Sequence, residues 1–442
     1  MIHSKLMSVC LVAAVLGEVG STAHATKVYL MGGAVAATNS LVYQGLRQAT
    51  GKDWSPNPSS LRNCSADWNT TRCPRVAVVT SAAPDSTAGR DAYETTDPTS
   101  GALSYHDLFQ KHGFSPRHIT LHVDNAGTAA YDGTVDGDAN LALVDQADVV
   151  FFNGGDQARH ARAWLRADGS DTPLLAALRA RVVRGSVVAA GTSAGTAIMG
   201  DPTYGEGVPY GYIYFNAQLA DKSVASSSGL RDDREGTASL RYFENGGKLT
   251  GFGFVGAGIA VDTHFDARGR LGRMLPALRS LGYTLGIGVD EDTAFYVDGD
   301  VGTVYGSHSV FVVDTRSAHF PTGSHFRITG AAVSLLTSGD RYNLRTQLAS
   351  SSKPPLGRPY YRRAYDSDDV FAAYEITASI TRTVDTLARV CRGSAVVPSY
   401  ATGPRYPDDA PLVNLRFYRG SATQGFYGGG RYTALKVLVD ID

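Results

Sequence analysis

Apolar and polar positions divide the first part of the chain into short hydrophobic runs separated by longer segments of mixed polarity. Lys27–Met31 (KVYLM), Arg75–Thr80 (RVAVVT), Arg117–Asp124 (RHITLHVD), Asp148–Asn153 (DVVFFN) and Ser186–Ala190 (SVVAA) are rich in β-branched residues and lack strict alternation. That pattern predicts strands buried on both faces of a parallel sheet. Between the last two lies a helix signal: Thr172 as cap, Pro173 in the first turn, an apolar face over Leu174–Val183, and Gly185 as the stop. Strands alternating with helices predict an α/β layered domain with right-handed crossovers.

After about residue 286 the rhythm changes. Glu291–Val297, the turn Asp298-Gly299-Asp300 and Thr303–Asp314 predict a hairpin, and the β signal continues to about residue 345. Ser350–Pro359 (SSSKPPLGRP) looks like a linker, followed by a helix predicted near Asp368–Val390 and a Gly/Tyr-rich tail. No repeat of fixed period is evident. This divides the chain into residues 26–345, the α/β domain, and 346–442, a C-terminal extension with β content.

The N-terminus adds a compartment. Lys5 precedes the apolar segment Leu6 to Leu16, and Ala23-His24-Ala25 forms an A-x-A site, so residues 1–25 read as a secretory signal peptide. The apolar stretch is about half the ~20 residues that cross a bilayer, so a retained anchor is disfavoured and no membrane partner is expected. Lys and Arg (41) nearly balance Asp and Glu (42), which gives no argument for nucleic acid as partner. In an oxidising compartment, Cys64 and Cys73, which bracket the polar loop CSADWNTTRC, are expected to pair, leaving Cys391 as a small apolar residue.

Candidate chemistry centres on VVAAGTSAGTAIMG, where a strand pattern ends at Gly191 and a helix-compatible run begins after Ser193. Gly191-Thr-Ser193-Ala-Gly195 has the G-x-S-x-G form of a nucleophile elbow, in which small flanking residues let Oγ project from a tight turn. The Ala194 amide is then placed for an oxyanion. A second strand end runs into Gly154-Gly155-Asp156-Gln157, whose paired glycines can turn a Gly155 or Asp156 amide toward the same oxygen.

A serine needs a base, and the base an orienting acid. His118 and His122 lie in a strand pattern, and His106, His112 and His160 in polar segments, so packing or surface roles are expected for them. His264 instead ends an apolar run and precedes an arginine cluster, VDTHFDARGRLGR; downstream, Asp290-Glu291-Asp292 offers three acids that spacing alone does not separate. The order serine, histidine, acid argues against an α/β-hydrolase esterase, which runs serine, acid, histidine.

FFNGGDQ, AAGTSAGTAIMG, VDTHFDARGRLGR and LGIGVDEDTA, in that order and at those separations, resemble the cyanophycinase family of serine peptidases in the peptidase E clan, specifically its extracellular branch. The resemblance spans about residues 26–345. It implies a parallel-sheet sandwich with helices on both faces, similar to class I glutamine amidotransferases, and a homodimer. It also implies Ser193 as nucleophile, His264 as base, Glu291 as orienting acid, and Gln157, Asp262, Arg268, Arg270 and Arg273 around the substrate, with no metal or organic cofactor.

The family's substrate, cyanophycin, is a polyaspartate backbone bearing arginines on its β-carboxyls, released as β-Asp-Arg dipeptides. Arginines could clamp its carboxylates while Asp156, Asp262 or Asp266 met its guanidinium groups. The departure is Thr263, where the family usually has glutamine, which implies a lost substrate hydrogen bond. The rival expectation is a related exopeptidase acting on short aspartyl peptides. With an unperturbed imidazole near ~6.5, activity is expected to rise through neutral pH.

Overall fold

The computed structural model describes residues 26–52, 64–126, 135–166, 169–201, 251–323, 325–356 and 413–442, with short pieces at 203, 213, 244–245, 248–249, 367–368, 387 and 396–401. The signal-peptide segment, Cys391 and most of the helix expected near Asp368–Val390 lie outside the described residues.

Five parallel strands form one side of the first sheet: β1 (Lys27–Met31), β2 (Arg75–Val79), β3 (Ser115–Ile119), β4 (Val149–Phe152) and β5 (Val188–Thr192). Their order is β1-β5-β4-β2-β3. They are the five apolar runs of the sequence, and all but β3, which exposes Arg117, are buried on both faces as expected. Only β3 departs: it begins two residues earlier than its apolar run and stops at Ile119. As an edge strand it tolerates Pro116, whose missing N–H breaks no ladder bond there.

The helices beside this sheet are α1 (Ser40–Ala49), α2 (Ser86–Glu94), α3 (Tyr105–Lys111), α4 (Val135–Gln146), α5 (Gln157–Trp164) and α6 (Pro173–Val183). Thr172 Oγ1 accepts from Leu175 N–H at 3.3 Å, so the predicted cap of α6 is made. A one-turn helix, α7 (Ala194–Ala197), follows β5.

The downstream chain builds a second sheet. After the two-residue strands β6 (Glu244–Asn245) and β7 (Lys248–Leu249) come β8 (Ile259–Asp262), the helix α8 (Leu271–Leu281), β9 (Leu285–Val289), β10 (Thr293–Asp298), β11 (Val301–Gly306), β12 (Ser309–Asp314) and β13 (Ile328–Thr337). Then follow β14 (Arg341–Asn343), β15 (Leu348–Ser350), β16 (Ser367–Asp368), β17 (Val396–Ala401), β18 (Val413–Gly428) and β19 (Arg431–Ile441). β10, β11, β14 and β15 join the first sheet beside β1, with β10 antiparallel to it. The first sheet is therefore mixed rather than wholly parallel.

The second sheet runs β16-β17-β18-β19-β13-β12-β9-β8. The expected hairpin is half right: β10 pairs β11, but the run Thr303–Asp314 breaks at Ser307-His308, and β12 crosses into the second sheet. The chain there is continuous in polarity, so only tertiary pairing separates the two strands.

One apolar core lies between the sheets, joining Val28, Leu30, Val79 and Phe152 of the first to Val261, Ile287, Val289 and Val312 of the second. A second packs Met274 and Leu275 of α8 against Phe311, Val333, Phe417, Val437 and Val439. A third covers the far face of the first sheet with Leu46 and Phe109 from α1 and α3. The tail expected as a separate extension thus contributes strands and core residues to the sheet that carries β8 and β9. Cys64 and Cys73 are joined as a disulfide. No helix among the described residues is long and apolar enough to cross a membrane.

Candidate active site

Steric crowding at the end of β5 explains the glycines around Ser193. A Cβ on Gly191 would lie 2.2 Å from Gly195 O, and one on Gly195 would lie 2.1 Å from Phe152 O. Bare backbone is therefore required on both sides of the serine. Ser193 itself has φ 52° and ψ −116°, a conformation a side chain adopts only when its surroundings enforce it. They do so through Met31: Ser193 N–H donates to Met31 O at 3.1 Å, and Thr196 Oγ1 donates to the same carbonyl at 2.7 Å and to Gly191 O at 2.6 Å.

His264 follows β8, also in the left-handed region with φ 46°. Its N–H donates to Gly32 O at 2.8 Å. Gly33, at φ 107°, lies flat against the ring, since a Cβ there would come within 2.3 Å of Cε1 and Nε2. The pair Gly32-Gly33 at the end of β1 thus seats the imidazole. Sequence reasoning passed over it, although a double glycine directly after a buried strand was a visible sign.

The imidazole bridges the other two groups. Nδ1 lies 2.6 Å from Glu291 Oε1 and Nε2 lies 2.7 Å from Ser193 Oγ. Because the carboxylate can only accept, Nδ1 carries the proton and Nε2 accepts from the serine hydroxyl. Burial, then the charges of Arg268 and Arg270, push the His264 pKa down to about 4, outweighing Glu291. The ring is therefore neutral, the form of a base, through the neutral range and well into acid.

The three acids separate by backbone direction. Asp292, at φ 50°, turns out to accept from Ala36 N–H at 3.0 Å. Asp290 turns inward, fully buried, and accepts from Ala267 N–H at 3.1 Å. Burial raises its carboxyl to about 6. Glu291, between them, reaches the imidazole.

Ala194 N–H and Gly155 N–H, the two amides expected to serve an oxyanion, donate to no backbone acceptor among the described residues. Gly154 abuts the nucleophile, its absent Cβ falling 3.4 Å from Ser193 Cβ. Asp156 corrects the expectation: its N–H donates to Ala82 O at 3.2 Å, and its carboxylate caps α5 by accepting from Ala158 N–H at 2.7 Å. Its amide is thus committed to Ala82, and one of its carboxylate oxygens to the α5 cap.

The charged cluster also differs from expectation. Arg273 grips the buried Asp262 with both arms, at 2.6 and 2.5 Å, and Arg270 adds a bond of 3.1 Å. Burial alone would raise the Asp262 carboxyl, but Arg273 and then Arg270 hold it below its usual range. A guanidinium from outside finds that carboxylate already occupied, so Asp262 and Arg273 form an internal pair beneath the site rather than substrate contacts. Thr263 is buried too, with its carbonyl accepting from Arg270 at 2.8 Å. Arg268 lies close enough to His264 to depress its titration, and Gln157 opens α5, half-buried, next to the Gly154-Gly155 turn. Asp266 is buried.

The five other histidines weighed from the sequence have structural or surface tasks. His160 contacts Ser81 Oγ at 2.7 Å and donates to Asn153 O at 3.0 Å, while His118 and His122 share Thr80 Oγ1. His112 donates to Ala37 O at 3.0 Å, and His106 contacts Asp107 at the surface. No group of three metal-ligating side chains occurs among the described residues.

No family profile matches the chain. Among known proteins, it is 30% identical over 270 residues to the cyanophycinase of Synechococcus elongatus, covering 59% of this chain and 71% of that protein. Identity and coverage are the same for the cyanophycinase of Thermosynechococcus vestitus. The Geminocystis herdmanii cyanophycinase is 30% identical over 212 residues, covering 46% of this chain and 65% of the relative. Solved structures align more loosely: a peptidase from an acI-B1 Actinobacterium at TM-score 0.41 and 14% identity, covering 73% of this chain and 98% of that one. A peptidase E protein from Listeria monocytogenes aligns at 0.35 and 8%, covering 64% and 98%. With a relative matched at that identity over more than two thirds of its length, the chain belongs to the cyanophycinase family of serine-type peptidases.

Proposed function

We propose that this protein is a secreted cyanophycinase that cuts the polyaspartate backbone of cyanophycin by an acyl-enzyme route and releases β-Asp-Arg dipeptides. The observation that carries the reading is the continuous line Ser193 Oγ, His264, Glu291, at 2.7 and 2.6 Å. Ser193 Oγ attacks the carbonyl of an aspartyl residue while Nε2 of His264 takes its proton, and Glu291 holds the Nδ1 proton and stabilises the imidazolium. The negative oxygen of the tetrahedral intermediate meets Ala194 N–H and Gly155 N–H. Nε2 then protonates the leaving amine, and a water, deprotonated by the same nitrogen, hydrolyses the ester.

The sandwich of two sheets with helices outside them supports a glutamine amidotransferase-like architecture with an added C-terminal portion. The A-x-A site near residue 25 supports export. Thr263 is buried, with its carbonyl and hydroxyl both against Arg270, so it is packed within the arginine cluster.

The deciding experiment incubates the purified protein with insoluble cyanophycin and, in parallel, with α- and β-aspartyl dipeptides. Mass analysis should find β-Asp-Arg from the polymer, and Ser193→Ala should release none. Cleavage of dipeptides alone would replace the polymer reading with an exopeptidase.

A further inference from the structure

One polar group beside the nucleophile has no task in the steps above. Tyr105, the first residue of α3, packs its ring on Phe151 with centroids 5.5 Å apart, and its hydroxyl oxygen accepts from Gly154 N–H at 3.4 Å. Gly154 is the residue whose bare Cα faces Ser193. The phenol thus stands against the peptide that flanks the reacting oxygen.

A phenol both donates and accepts. Its acceptor role is filled by Gly154, but only loosely, since 3.4 Å is beyond the 2.7–3.2 Å of a firm N–H to oxygen bond. Its own proton meets no acceptor among the described residues, and the side chain is only half-buried, so that proton is open to solvent or to a ligand. Burial raises the Tyr105 pKa, so the hydroxyl keeps that proton throughout the working range. A weak anchor combined with an uncommitted donor points toward what enters the site.

We infer that Tyr105 is a catalytic residue, donating its O–H to the carbonyl oxygen that becomes negative when Ser193 attacks, as a third donor beside the Ala194 and Gly155 amides. Its proton stays on the phenol throughout; the serine proton still goes to His264. The inference rests on the serine mechanism proposed above. Side-chain donors of this kind act where charge develops, so they lower the barrier more than they tighten the ground state.

Tyr105→Phe keeps the ring on Phe151 and removes only the hydroxyl. In the full chain, two rates are compared with those of the unsubstituted protein: labelling of Ser193 by a fluorophosphonate, which needs no knowledge of the substrate, and hydrolysis of cyanophycin. The expected result is labelling slowed about tenfold, kcat lowered about 10²-fold, KM within about twofold, and an unchanged melting temperature. Unchanged labelling and kcat would overturn the assignment. A raised KM with intact kcat would overturn it as well, marking Tyr105 as a ground-state contact. If the unsubstituted Ser193 resists labelling and Ser193→Ala still hydrolyses substrate, the serine mechanism itself falls, and that failure is distinct from the other two.

Discussion

At the scale of single residues, the proposed nucleophile and its base both stand on backbone that side chains avoid, with φ of 52° at Ser193 and 46° at His264. Such conformations cost of order 1–3 kcal/mol each and persist only where neighbours over-determine them. Here the neighbours are the carbonyls of Met31 and Gly32 at the end of β1. Gly33→Ala tests that seat. Its methyl group would fall on the ring edge of His264, in a backbone region alanine disfavours, so kcat should drop about 10²-fold or more while circular dichroism stays native. A second prediction concerns pH. The active base is the neutral imidazole, and its titration lies near 4 instead of the ~6.5 of a free side chain. Initial rates should therefore be near their plateau at pH 6 and fall only in the acid range below it. A half-maximal rate near pH 6.5 would contradict this. The identities of serine and histidine were legible in the sequence because small residues and strand ends mark them. The choice among Asp290, Glu291 and Asp292 was not legible from spacing and came only with the family resemblance, because it depends on the left-handed turn at Asp292 and the burial of Asp290.

At the scale of elements, the parallel strands declared themselves through doubly buried apolar runs, and α6 through Thr172, Pro173 and Gly185. What stayed hidden was pairing between distant segments: the split of β11 from β12, and the insertion of β19 between β18 and β13. Local sequence carries strand propensity, but an antiparallel partner more than a hundred residues away leaves little local trace. The disulfide loop shows a different logic. It lies along the edge strand β3, where Trp68 Nε1–H donates to Ser115 O at 3.1 Å, Ser115 Oγ donates to Ser65 O at 2.6 Å, and Arg117 donates to Ala66 O at 3.0 Å. The clip thus shields backbone that would otherwise invite another strand. Closing so short a loop is worth about 2–3 kcal/mol by chain entropy. Replacing Cys64 and Cys73 by serine should remove about that much in a urea titration and make the protein more prone to aggregate. Its kcat should be left nearly intact, since the loop touches none of the site residues.

Across the whole molecule, burial has left several imidazoles unable to ionise in place. His112, His118, His160 and His264 all titrate near 4, with burial as the leading cause. The folded values lie below the unfolded value near ~6.5, so unfolding takes up protons between those limits. Their effect on stability is absent above about pH 6.5 and grows as pH falls toward 4. Asp290, raised to about 6, binds its proton in the folded state and offsets one of the four. The net uptake of protons on unfolding implies a loss of stability, which calorimetric melts from pH 7 to pH 4.5 should record as a falling melting temperature. A melting temperature flat over that interval would mean the imidazoles are more exposed than their burial indicates.

The place of β19 in the second sheet also bears on when the enzyme can first act. A ribosome finishes Ser193, His264 and Glu291 well before it reaches the strand that fills the gap beside β13 and completes the core under α8. Until that stretch emerges, β8 and β9 belong to an unfinished sheet. The sheet that carries β8 and β9 is therefore closed by the last strand the ribosome delivers.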